Sequence, residues 1–177
     1  MKRIVTALLM VLVAAGPVLG GPTAEQEEQA RAVFTIGGGL AGLGFGVLMD
    51  PTPEGTPLAA SLRVVIPAAA VATAMGALTG GWAVDQLLTI RPALIASPFL
   101  GAGLGLVAGA LTGGPSFCLA FAIAIPTVEA PEGYWGSDFT YAQSVGMSLL
   151  AGAFWGGFFG ATIGAVAGPI LTLALGF

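Results

Sequence analysis

Four long runs of apolar residues, separated by short polar or proline-containing segments, dominate the sequence: residues 33–49, 64–84, 95–125 and 144–168. Hydrophobic positions follow one another within each run, without the alternation of a half-buried strand, and the lengths suit helices that need about 20 residues to cross a hydrocarbon core. The pattern predicts an all-α integral membrane protein with four spans. Glu25, Glu27, Glu28 and Arg31 form a polar lead-in to the first. Residues 50–63, with Pro51, Pro53, Gly55 and Pro57, read as a loop. Residues 85–92 read as a polar turn, and residues 126–142 as a polar loop whose Tyr134, Trp135 and Tyr141 suit a membrane interface.

The third run is longer than one simple crossing requires. From Ala93 to Ile125 a continuous helix would reach about 50 Å against a core of about 30 Å. Gly113-Gly114-Pro115 is the expected break, since proline removes a helix hydrogen bond and glycine tolerates distortion. One tilted span is expected before it, and a kink or short re-entrant piece over residues 116–125 after it.

At the N-terminus, Lys2 and Arg3 precede the apolar residues 4–15, then Gly16-Pro17 and a usable cleavage site at Val18-Leu19-Gly20. Residues 1–20 read as a secretory signal peptide, with an uncleaved anchor helix as the alternative. The expected destination is a prokaryotic inner membrane. At the other end Leu171, Leu173, Leu175 and Phe177 alternate as in the last strand of an outer-membrane barrel. Barrels carry that alternation along every strand, and here it is confined to the final turns.

Glycine is distributed in register. Gly152, Gly156, Gly160, Gly164 and Gly168 recur at every fourth residue, which places them on one slowly drifting helix face. Ala153, Gly157, Ala161 and Ala165 widen that strip, and Phe154, Trp155, Phe158 and Phe159 fall on the opposite arc. The spacing returns at Gly38, Gly42 and Gly46, at Gly76 and Gly80, and at Gly101, Gly105, Gly109 and Gly113. An interior glycine costs a soluble helix about 1 kcal/mol relative to alanine, so such series call for close approach of another helix in lipid. The expected architecture is a four-helix glycine-zipper bundle. A hexapeptide also repeats: Gly76-Ala77-Leu78-Thr79-Gly80-Gly81 recurs at residues 109–114, and residues 152–157 share its Gly-Ala-x-x-Gly-Gly frame.

Composition narrows the function classes. With 56% hydrophobic residues, 8% charged and a mean hydropathy of +0.94, the chain falls outside soluble domains, which carry about 25% charged residues. Five basic residues give no footprint for nucleic acid. No histidine is present, which excludes His-ligated metal or haem and every His-activated nucleophile. Cys118 is the single cysteine, so no intramolecular disulfide or Cys-clustered metal site can form. No catalytic residue, metal or cofactor is predicted, although Phe154, Trp155, Phe158 and Phe159 offer a contact face for lipid or pigment.

Asp85 is the only acid close to the middle of a candidate membrane segment. It is a candidate ion or proton site by the cost of burying charge in lipid, or an interfacial residue paired with Arg31. The expected function is therefore a non-catalytic structural or accessory membrane subunit, its glycine faces packing against helices of the same chain, of identical copies or of other subunits in a larger complex, with membrane lipids as further partners. The alternative is a small channel or transporter that uses Asp85 and a broken third helix.

Overall fold

The computed structural model describes residues 23–89, 98–129 and 139–174, with side chains through Ile170. The expected signal peptide, Tyr134, Trp135, Leu175 and Phe177 lie outside the described residues. Four helices are long and apolar enough to cross a membrane: α1 Ala24–Leu48, α2 Leu58–Thr89, α3 Pro98–Thr127 and α4 Tyr141–Ala174. No strand occurs among the described residues.

The start of α1 is fixed by local chemistry. The Thr23 hydroxyl accepts from the Gln26 N–H at 3.3 Å, and the Gln26 side chain accepts from the Thr23 N–H at 2.8 Å, satisfying two otherwise orphaned donors. Glu25 and Glu27 in the first turn complement the helix dipole. After α1, Asp50 accepts from the Thr52 N–H at 3.0 Å and from the Ser61 hydroxyl at 2.5 Å, tying the loop to the next helix. Gly55, with φ of +87°, completes a turn closed by the Thr56 N–H on the Pro53 carbonyl.

Helix boundaries depart from the sequence expectation in three places. First, α2 begins at Leu58, so Arg63 is helical, and it continues to Thr89, so Asp85 is helical too rather than opening a turn. These two charges lie roughly 33 Å apart along the helix axis, close to the thickness of a hydrocarbon core. Charged residues thus mark the borders of the span without ending its helix. Second, α3 runs without interruption through Pro115, and no re-entrant piece occurs over residues 116–125. Interior proline is tolerated in membrane helices, and around Pro115 Thr112 donates to the Ala108 carbonyl and Ser116 to the Thr112 carbonyl at 2.8 and 2.6 Å. Third, α4 starts at Tyr141, whose hydroxyl donates to the Ala122 carbonyl of α3 at 3.0 Å.

The helices form two antiparallel hairpins, α1 with α2 and α3 with α4, joined by packing of α2 on α3. At one end Val64 and Ala68 meet Ala120, Ala124 and Val128. At the other, Ala30, Val84 and Leu87 cluster beneath Phe34, Leu100 and Leu104. The buried set is small, mostly Ala, Gly and Val, while Leu40, Ile66, Leu78, Phe154 and Val166 stand more than 60% exposed. Large apolar side chains turned outward suit a lipid solvent, in which helices associate through small residues.

Candidate functional site

The glycine series face one another at the closest approaches in the fold. A methyl group at Gly38 would fall on the Gly76 carbonyl, and one at Gly76 on the Gly38 carbonyl. Gly42 faces the backbone of Ala72, Gly46 lies against the Ala69 Cα, and Gly80 faces the carbonyl of Phe34. In the second hairpin Gly101 and Gly164, Gly105 and Gly160, Gly109 and Gly156, and Gly113 and Gly152 make the same reciprocal contact. A Cβ at Gly168 would lie 3.0 Å from the Gly101 Cα. Each glycine Cα–H therefore points toward a facing backbone, the geometry that weak Cα–H···O contacts recur in.

Both hairpins use one register. Gly76 meets α1 at Gly38 and Gly80 meets it at Phe34, while the equivalent Gly109 and Gly113 of the repeated hexapeptide meet α4 at Gly156 and Gly152. Thr79 and Thr112, which occupy the same place in the two hexapeptides, are buried and hydrogen-bonded to each other at 3.2 Å across α2 and α3. The repeated segments thus meet where the hairpins join. The sequence does not single out these threonines, nor Ala69 and Ala72; the signals were the identity of the two hexapeptides and the continuation of the Gly76, Gly80 spacing back through Ala72.

Asp85 sits away from this axis. Its carboxylate accepts from the Arg31 guanidinium at 2.7 and 2.9 Å, with both side chains about half exposed. Phe154, Trp155, Phe158 and Phe159 form a chain of edge-to-face and tilted contacts along α4, with centroids 5.5 to 6.2 Å apart, and all four stay largely exposed. Cys118 is partly buried. Among the described residues no cluster of acidic or sulfur side chains could hold a metal, and no buried side-chain polar atom lacks a partner.

All four helices line a cavity of about 380 Å³. Its floor is α2 and α3, its sides are α1 and α4, and the lining is almost wholly apolar. Because α1 and α4 share no substantial interface, the cavity is a trough open between them. Thr79 and Thr112 lie at its inner end beside Phe45, and Phe159 is the one member of the aromatic chain that reaches it.

No protein-family model, curated protein or solved structure matches the chain.

Proposed function

We propose that this chain is a non-catalytic structural or accessory subunit: a glycine-zipper scaffold that assembles with copies of itself or within a larger membrane complex. In this reading residues 1–20 are a signal that directs it to a prokaryotic inner membrane. The observation that carries the proposal is the reciprocal placement of glycine against facing backbone along both hairpins. That interlock gives a compact frame with short connections and leaves the aromatic arc of α4 and the outer face of α1 for partners. The channel or transporter alternative draws less support, since Asp85 is paired with Arg31 at a half-exposed position outside the trough and α3 is continuous.

Native mass spectrometry of the protein gently extracted from its own membrane tests the proposal. A uniform multiple of the chain mass, or fixed-stoichiometry association with other subunits, is the expected result. A strictly monomeric chain across mild detergents would overturn it.

A further inference from the structure

We propose that the trough between α1 and α4 is a binding site for one hydrocarbon tail of a bilayer lipid. This goes beyond the scaffold reading and does not depend on it. The trough extends along α3 from Gly101 to Thr112, roughly 17 Å at the helical rise. The whole gap between its walls, open side included, is about 1200 Å³, a mean cross-section of about 70 Å² over that length, with room for an extended acyl chain. A helix with its side chains, 10–12 Å across, would need roughly 80–110 Å². No neighbouring helix, whether from a second copy or another protein, fits inside without prising the hairpins apart.

The lining selects the same occupant. Thr79 and Thr112 are the polar side chains there; with one proton each, Thr112 donates to the Ala108 carbonyl and Thr79 donates to Thr112 or to the Met75 carbonyl. The trough therefore offers no unpartnered side-chain group to a polar ligand, and apolar cavities of this kind hold no ordered water. An empty trough would forfeit the dispersion contacts of its walls. Its long side opens between α1 and α4 toward the hydrocarbon, where acyl chains are the abundant species. Glycine makes up much of its lining, and Phe45 stands at its inner end with its ring beside Gly113.

The test reconstitutes the full chain in phosphatidylcholine nanodiscs carrying a lipid with a diazirine near the end of one acyl chain, and maps the photolabel by peptide mass spectrometry. Labelling should concentrate on residues 101–112 and 156–168. Ala41→Phe and Ala108→Phe, which place a ring in the trough, should abolish that concentration, and Val166→Phe on the outer surface should leave it intact. If a filling variant does not fold, the wild-type map decides alone. Labelling spread evenly over outward residues such as Leu40 and Val166 would overturn the proposal. So would photocross-links from a diazirine amino acid at position 41 to residues 1–20 or to a second copy, which would identify a protein occupant.

Discussion

Replacing Gly156 by alanine adds a single methyl group, and the structure says where it goes. Its Cβ would sit 2.9 Å from the Gly113 Cα and 3.0 Å from the Gly109 carbonyl carbon, besides overlapping the Gly109 oxygen. Carbon contacts settle at about 3.5–4.0 Å, so α3 and α4 must separate by roughly 0.5–1 Å, enough to forfeit a quarter to a half of each dispersion well along the contact. Overpacking of this kind costs about 1–3 kcal/mol. The upper half of that range is expected here, because the obstruction is backbone and the neighbouring pairs Gly105–Gly160 and Gly113–Gly152 loosen with it. Gly103 provides the contrast: no heavy atom lies within 4 Å of its Cβ position. Gly103→Ala should be neutral, or stabilising by up to about 1 kcal/mol through helix propensity. Unfolding in mixed micelles by titration with a denaturing detergent, followed by circular dichroism, measures both. Equal effects of the two substitutions, or a Gly156→Ala variant within 0.5 kcal/mol of the parent on the overpacking scale, would refute the reasoning. Gly156→Leu and Gly160→Leu should open the hairpin further.

The pairing of Thr79 with Thr112 should show a coupling energy of about 0.6 kcal/mol in a double-mutant cycle with valine, the usual size for such bonds in membranes; zero coupling would show that this hydrogen bond adds nothing to the apolar packing that joins the hairpins. Asp85→Asn should change stability by less than about 1 kcal/mol, because its ion pair is half exposed. The same variant should leave ion flux through reconstituted vesicles unchanged, and a wild-type leak that vanishes on substitution would favour a channel. Thr23→Ala should cost α1 about 1 kcal/mol, seen as faster amide exchange confined to its first turns.

The spans are legible in the sequence because an unbroken apolar run has few other fates, and the fourfold glycine spacing marks a helix face without reference to tertiary structure. Partner choice is not legible: nothing in the spacing of Gly38 says that it faces Gly76 rather than a second copy. Helix ends were misjudged where charge was taken as a stop. Arg63 and Asp85 border the apolar span of α2, yet the backbone continues its hydrogen bonds into the polar region on either side. Pro115 suggested a break because proline costs a helix one hydrogen bond, yet membrane helices tolerate it, and Pro67 and Pro169 likewise lie inside α2 and α4 without ending them. The trough is invisible to sequence, since it arises from two helices that fail to touch.

Whether the glycine faces close within one chain is best measured by disulfide trapping in native membranes. In a Cys118→Ala background, Gly39→Cys with Ala77→Cys and Ala110→Cys with Gly157→Cys each place Cβ atoms 3.6 Å apart, inside the range of about 3.5–4.5 Å that a disulfide spans. Oxidation should give an intrachain bond in both pairs, with the protein still at monomer mass and both thiols protected from alkylation. Dimers linked through these same cysteines, with no intrachain bond, would show that the glycine faces join separate copies and would contradict the fold described above.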